Sequence, residues 1–240
     1  MRPKSSTDWL EPPDLRTATR AQREIAEACE TNDRIGPFAI VAGADVSMKW
    51  RNSRGPIDAA LAPLIVDGRR PLPPATARVI PRFPYVPGYL GFREAPALVA
   101  AWDTLVLRGD PLPDLLFVDG QGRAHPRRCG VATQLGVLID RPTIGLAKSL
   151  LCGVVDGDVG PAPGDRAPVV DRGEIVAMAL RTRAGATPVF VSIGHRISLD
   201  TAVSIALSLS DNRRILLPIR LAHGAANHAR RALDDSAPSA

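Results

Sequence analysis

One stretch constrains this chain more than any other: Phe38 to Val46 (FAIVAGADV), apolar and β-favouring almost throughout, with an acid near its end. Such a run reads as a mostly buried strand, so Asp45 sits near the C-terminal end of a strand that solvent barely reaches. A shorter run of the same kind, Leu115 to Val118, delivers Asp119 straight into Gly120-Gln121-Gly122. Carboxylates at the ends of two buried strands converge if those strands lie side by side. A chain of this design must build a sheet and cover it.

The rest of the pattern supplies the sheet and its cover. Leu15, Ala18, Ile25, Ala28 and Cys29 recur at roughly helical spacing within Asp14 to Asn32, and Gly36-Pro37 then breaks the chain. Further strands are predicted at Ala60 to Val66 and Ala77 to Arg82, separated by turn residues as in an antiparallel meander. Phe83 to Gly91 is a Pro/Gly/aromatic loop, and residues 92 to 108 form a strong helical stretch with Glu94 in its first turn. A helix from Gly130 to Ile139, a strand from Thr143 to Ala147, a Pro/Gly/Asp-rich loop from Asp156 to Asp165, strands near Ile175 to Arg181 and Val189 to Ser192, and a helix from Leu199 to Leu209 follow. Strands first, then strands mixed with helices, imply an α/β or α+β protein with helices packed on the faces of its sheet. The 240 residues suit one domain, with residues 1 to 13 and 234 to 240 as loose tails.

Composition narrows the partner. The net charge of +5 and pI near 9.6 favour a polyanion. The basic residues are 27 Arg and only three Lys (Lys4, Lys49, Lys148), a skew given no functional weight in itself. Position matters more: Gly122 to Ser149 holds Arg123, Arg127, Arg128, Arg141 and Lys148 against the single acid Asp140, which makes either a phosphate track or a solvated basic face. Hydrophobic content of 45% with 23% charge excludes a disordered or fibrous chain. Cys29, Cys129 and Cys152 lack Cys-x-x-Cys spacing, which speaks against a zinc or redox motif and for a reducing compartment. No apolar run follows the basic residues at the start, so neither a secretory signal nor a membrane span is expected, and the cytoplasm is the expected location.

Three acids stand out by setting. Asp45, Asp119 and Glu94 are each costly to bury alone, and a divalent cation would supply the missing counter-charge. Hard oxygen ligands select Mg²⁺ or Mn²⁺, ions that activate water for in-line attack on a phosphodiester. Taken singly, each acid reads better as a strand-ending turn residue or a helix cap; together the three are less bland. Glu94, however, is one of only six Glu and follows the stiff sequence Phe83-Pro84-Tyr85-Val86-Pro87-Gly88-Tyr89-Leu90-Gly91. A proline-braced loop holds an aromatic ring in a fixed place, where it either wedges into a base stack or packs in a core. After Asp119, the glycines of Gly120-Gln121-Gly122 allow close backbone approach to a base edge. His125 and its neighbouring arginines either hold phosphate or water or form a polar turn. Lys148 is a candidate for the scissile phosphate, and His195 reads as structural.

The blocks GADVS (43 to 47), PYVPGYLGFREAP (84 to 96), LLFVDGQGRAHPRRCGVATQLG (115 to 136), PTIGLAKSLLCG (142 to 153) and VSIGHRISLDTA (191 to 202) resemble, in order and separation, the signature of the endonuclease V (deoxyinosine 3′-endonuclease) family. The resemblance spans roughly residues 14 to 223. It implies a ribonuclease H-like α/β fold, a mixed central sheet with helices on both faces. It also implies an Mg²⁺-dependent enzyme, with Mn²⁺ as a substitute, that recognises deoxyinosine. Such an enzyme cleaves the second phosphodiester on the 3′ side, leaving 3′-hydroxyl and 5′-phosphate ends; some members act on inosine in RNA.

On that pattern Asp45 and Asp119 are metal-binding aspartates and Glu94 the catalytic, metal-facing glutamate. Tyr85, flanked by Pro84 and Gly88, is the wedge; Gly120, Gln121 and Gly122 face the base; His125 and Lys148 lie near the phosphate. Arg213 to His223 only loosely resembles the closing motif, which would place His223 beside the metals. Lys49 to Ile57 (KWRNSRGPI) is longer and more basic than the family pattern leads one to expect. A ribonuclease acting mainly on inosine-containing RNA, and a basic nucleic-acid binder without catalysis, are the alternatives. The intact acidic trio opposes the second. A monomer is the expected state.

Overall fold

The strand expected after Gly36-Pro37 is β1 (Ile40–Met48), and it lies inside a ten-stranded mixed sheet. The computed structural model describes residues 7–49, 52 and 54–235. β1 runs antiparallel to β2 (Ile57–Ile65), whose far side pairs with β3 (Arg70–Pro71) and β4 (Ala75–Val79), giving the expected meander. On its other side β1 runs parallel to β5 (Leu115–Val118), and β5 parallel to β6 (Thr143–Ala147). β10 (Val189–His195), β9 (Glu174–Leu180), β8 (Arg166–Asp171) and β7 (Val154–Val155) extend the sheet antiparallel beyond β6.

Helices cover both faces, as a ribonuclease H-like architecture requires. On one face α2 (Gly91–Arg108) and α3 (Val131–Ile139) bury Ala95, Leu98, Trp102, Leu105 and Leu135 against Ala42, Ala44, Leu116 and Val118. On the other, α4 (Leu199–Ser208) and α5 (Leu217–Asp235) bury Ala202, Val203, Ala206 and Ile219 against Val41, Leu115, Phe117 and Leu146. Side chains alternate along a strand, so β1 and β5 need apolar residues in both phases, which is why their sequences read as continuous hydrophobic runs. α1 (Leu15–Ala28) is capped by Asp14, whose Oδ1 accepts the Thr17 N–H at 2.7 Å, and packs outside α3.

Gly43 fixes where α5 sits. A Cβ at this position would fall 1.9 Å from the Pro218 carbonyl oxygen, so the first turn of α5 rests directly on the β1 backbone. Only hydrogen fits there. From that contact α5 runs across β1 and β2, burying Ile219, Ala222 and Ala226 at helical spacing.

Several expectations are corrected. α5 was not foreseen: it is amphipathic, but its buried stripe is mostly alanine among arginines, so the segment as a whole is weakly hydrophobic. β8 and β7 were also missed; they are short, half-exposed strands at the far edge. β2 begins at Ile57 rather than Ala60, and β4 ends at Val79 rather than Arg82. Residues 7 to 13 are not loose: the Trp9 indole N–H donates to Glu24 at 2.7 Å, its carbonyl accepts from Gln134 at 2.8 Å, and Pro12 is buried. Residues 234 and 235 belong to α5. The expected looseness of residues 1–6 and 236–240 lies outside the described residues. Lys49 to Ile57 joins β1 to β2 as a hairpin closed by Met48 opposite Ile57; Trp50, Arg51 and Ser53 lie outside the described residues, and Lys49 and Arg54 are exposed. No helix among the described residues is long and apolar enough to cross a membrane.

Candidate active site

The parallel pairing of β1 and β5 brings Asp45 and Asp119 to one place. Ala44 is in register with Val118, and the Asp119 N–H donates to the Ala44 carbonyl at 2.9 Å, so each acid follows the last residue of the β1–β5 pairing, while β1 continues past Asp45 to Met48 against β2. Asp45 shares the alternation phase of Val41 and Gly43 and therefore faces α5. Glu94 arrives from the opposite face, in the first turn of α2.

The electrostatics show how close the three acids lie. Burial pushes Glu94 up to about 8, and the charges of Asp45 and Asp119 push in the same direction. Asp45 is raised by burial and then by Asp119. The two aspartates therefore make Glu94 harder to ionise, and Asp119 does the same to Asp45. Glu94 has the Arg93 guanidinium as its one opposing charge, and Arg93 is itself buried, donating to the Phe83 carbonyl at 2.9 Å.

Asp45 and Asp119 also have protein partners. Asp45 Oδ1 accepts the Val46 N–H at 2.7 Å, and Oδ2 accepts from His223 Nδ1 at 2.8 Å. Asp119 is ion-paired with Lys148, whose carbonyl is held by Arg214 at 2.9 Å. His223 is oriented in turn. Arg230 Nε donates to Ser47 Oγ at 3.0 Å, Ser47 donates to Asn227 Oδ1 at 2.8 Å, and the Asn227 amide thereby presents Nδ2 to His223 Nε2 at 2.9 Å. Nε2 acts as the acceptor, which leaves the ring proton on Nδ1, facing Asp45. Every donor in this chain points toward the carboxylate.

Among the described residues no three His, Cys, Asp or Glu side chains form a ligand cluster as they stand. Two of the three acids expected to bind metal are turned to protein partners, Asp45 to His223 and Asp119 to Lys148. The donor chemistry still fits a hard divalent cation. Glu94 and Asp45, both buried and both held toward their neutral forms by burial and neighbouring carboxylates, gain most from a nearby positive charge.

A cleft of about 260 Å³ opens beside the acids, and Glu94 and Asp119 form part of its wall. Tyr85, Pro87, Gly88 and Leu90 line one side, Ser149, Leu150 and Leu151 another, and Gly120, Gln121, Cys129, Gly130 and Val131 the floor at the N-terminus of α3. Tyr85 is 62% exposed, an unusual position for an aromatic ring unless it has something to meet. Gln121 donates from Nε2 to the Ser149 carbonyl at 2.7 Å, while its buried Oε1 has no hydrogen-bond partner. Gly122 packs elsewhere: a Cβ there would lie 2.0 Å from the Ile193 carbonyl oxygen, so it seats the glycine loop on β10. Pro84 is exposed at the foot of the Tyr85 loop.

His125 lines the same cleft and is held firmly within its wall. It is buried, and burial followed by the charge of Arg127 pushes it down to about 4, which keeps it neutral. Its Nδ1 accepts the Arg127 N–H at 3.1 Å and its Nε2 donates to the Gly88 carbonyl at 2.9 Å, so it braces the Tyr85 loop from the cleft wall. His195 is structural, as expected: it is buried, and its Nδ1 accepts the Glu30 N–H at 3.2 Å. Gln22, Asn227 and the cleft residues Ser149 to Leu151 went unmarked, and Arg127 was marked only as part of a phosphate track. Ser149, Leu150 and Leu151 had a signal, since they lie in the block PTIGLAKSLLCG directly after Lys148.

Residues 21–224 match the family model described as Endonuclease V. An Endonuclease V of Rhodospirillum centenum is 46% identical over 230 residues, covering 96% of this chain and 94% of that protein. The fold is similar to the crystal structure of Endonuclease V from Streptomyces avermitilis, with a TM-score of 0.85 and 35% identity over 95% of this chain and 97% of that one. It is also similar to Ciona intestinalis Endonuclease V in complex with a 24mer DNA containing an inosine followed by a ribo-adenosine, with a TM-score of 0.79 and 26% identity over 92% of this chain and 100% of that one.

Proposed function

The chain belongs to the endonuclease V family, and from that premise we propose that it nicks DNA at the second phosphodiester 3′ to a deoxyinosine, with Mg²⁺, leaving 3′-hydroxyl and 5′-phosphate ends. The family is one of metal-dependent nucleases. One observation carries the reading for this chain: Asp45 and Asp119 stand where the parallel pairing of β1 with β5 ends, with Glu94 buried near them beside a cleft rimmed by an exposed tyrosine.

Each residue then has a task. The cleft receives the hypoxanthine base, and Gln121 Oε1, already short of a donor, accepts from its edge. Tyr85 takes the position the base has left and restores the stacking that extraction removed. Lys148 leaves its pairing with Asp119 to neutralise the phosphate, which frees that carboxylate. His223 holds Asp45 in one orientation. A bound Mg²⁺ or Mn²⁺ would be held by Asp45, Asp119 and Glu94, and would supply activated water and stabilisation of the leaving oxygen.

The test is a labelled duplex with a single deoxyinosine, incubated with and without Mg²⁺ or Mn²⁺, and the cut mapped to the nucleotide. A metal-dependent nick elsewhere would correct the bond assignment; no nick under any condition would reject catalysis. The DNA bound by the Ciona relative carries a ribo-adenosine after its inosine, so an inosine-containing RNA of the same sequence belongs in the assay as a measure of how the 2′-hydroxyl is treated.

A further inference from the structure

The loop carrying Tyr85 is fastened at two points with its tip left between them. At its start, Phe83 is buried, its ring 5.4 Å from that of Phe92, and its carbonyl accepts from Arg93 at 2.9 Å. At its end, the Gly88 carbonyl oxygen takes three donors: Gln22 Nε2 at 3.0 Å, His125 Nε2 at 2.9 Å and the Arg127 guanidinium at 2.7 Å. Next to it the Tyr89 ring lies under the Arg127 guanidinium, 4.2 Å from carbon to centroid, and its hydroxyl meets Thr19 Oγ1 at 2.7 Å. Between these anchors stand Pro84, Tyr85, Val86 and Pro87, with proline on both sides of the exposed ring.

The clamp is internally consistent. Gln22 is buried, and its Oε1 accepts from Arg127 Nε, which turns its amide nitrogen toward the carbonyls of Gly88 and Cys129. A carbonyl oxygen has two lone pairs and here receives three donors, one of them charged, which is far more than a surface loop needs to satisfy its backbone. Gln22 and Thr19 belong to α1, which contributes nothing else to the cleft.

We infer that Gln22 and Arg127 are positioning residues for lesion recognition: by clamping Gly88 they hold the Tyr85 loop ready before nucleic acid arrives. The ordering cost of the loop is then met in folding rather than in binding, and the clamp sets how well the protein separates inosine from adenine. This rests on the reading of Tyr85 as the ring that replaces the extracted base.

Gln22→Leu removes the donors while keeping bulk, and Tyr89→Phe removes only the hydroxyl to Thr19, a milder change should the first fail to fold. Amide hydrogen exchange of Tyr85 to Tyr89 is read alongside affinity for inosine and adenine duplexes in chelator, and single-turnover nicking at saturating enzyme. Exchange is expected to quicken in both variants. Affinity for the inosine duplex is expected to fall about tenfold in Gln22→Leu, within what a base–aromatic stack is worth, with adenine affinity and the saturated cutting rate unchanged. Unchanged exchange in both variants would refute the clamp, and faster exchange with undiminished inosine affinity would refute its role in recognition. An equal loss on both duplexes would show a merely structural part. Tyr85→Ala tests the underlying reading separately: if it leaves inosine affinity intact the wedge fails, while the exchange data still report on the clamp.

Discussion

His223 Nδ1 lies 2.8 Å from Asp45 Oδ2, across 178 positions of sequence. With the Val46 N–H on the other oxygen, both oxygens of the carboxylate are held by donors, and the Ser47–Asn227 relay holds the imidazole in turn. Removing such a supporting partner commonly costs about 10- to 100-fold in metal affinity or activity. His223→Ala should lose nicking activity by a factor in that range and keep lesion affinity in chelator. Wild-type nicking would show that the contact does not matter to the reaction.

Asp45→Ala and Asp119→Ala should each abolish nicking while binding of an inosine-containing strand largely survives, because the base is met by Tyr85 and Gln121 rather than by either carboxylate. Gel-shift and cutting assays on one preparation separate the two effects. Normal cutting by either variant would remove the metal assignment.

Tyr85→Ala should weaken binding of the inosine duplex by about 1 to 3 kcal/mol, the usual worth of a stacked base. Affinity for undamaged duplex serves as the control. An unaltered ratio between the two would leave the exposed ring without a purpose in recognition.

Glu94 gives the metal-free protein a characteristic pH response. Its pKa is raised from 4.5 to about 8, so the folded chain keeps a proton that the unfolded chain releases. Its contribution to stability is full below the unfolded value and is lost as pH rises through the folded one. In chelator the melting temperature should therefore decline between roughly pH 5 and pH 9. Glu94→Gln should flatten that decline, and added Mg²⁺ should oppose it in the wild type only. A melting curve in which Glu94→Gln and wild type fall together would assign the effect to other groups.

Gly43→Ala tests the seating of α5. The new methyl would meet the Pro218 carbonyl, and overpacking of this kind typically costs about 1 to 3 kcal/mol. Because α5 carries His223, urea unfolding should show the lost stability and nicking should fall with it. Undiminished stability would mean that the helix shifts freely on the strand.

Much of this was readable in the residues. β1, β5 and β6 announced themselves because strands buried on both faces must be apolar in both phases, α2 and α3 because their buried stripes use large side chains, and α4 because it is predominantly apolar. The acids were legible for the same reason, as polar residues where the pattern called for hydrophobic ones. What stayed hidden depends on side chains meeting across long separations. Nothing near Gln22 hints at Gly88, and nothing near Asn227 hints at Ser47. α5 was invisible because alanine packs closely without being strongly hydrophobic. His125 was half legible: its place among arginines marked it as a candidate phosphate contact, and its burial and two ring contacts add a brace on the Gly88 carbonyl that no local pattern announces.

The pairing of β1 with β5 has a consequence for how activity is lost. The two aspartates are 74 positions apart and become neighbours only when the middle of the sheet has closed, so no fragment built from local contacts alone brings them together. Cutting ability should accordingly vanish in step with cooperative melting of the whole sheet, without a partly unfolded form that still severs strands. A cell holding damaged or half-folded copies would thus be spared stray breaks in its own chromosome.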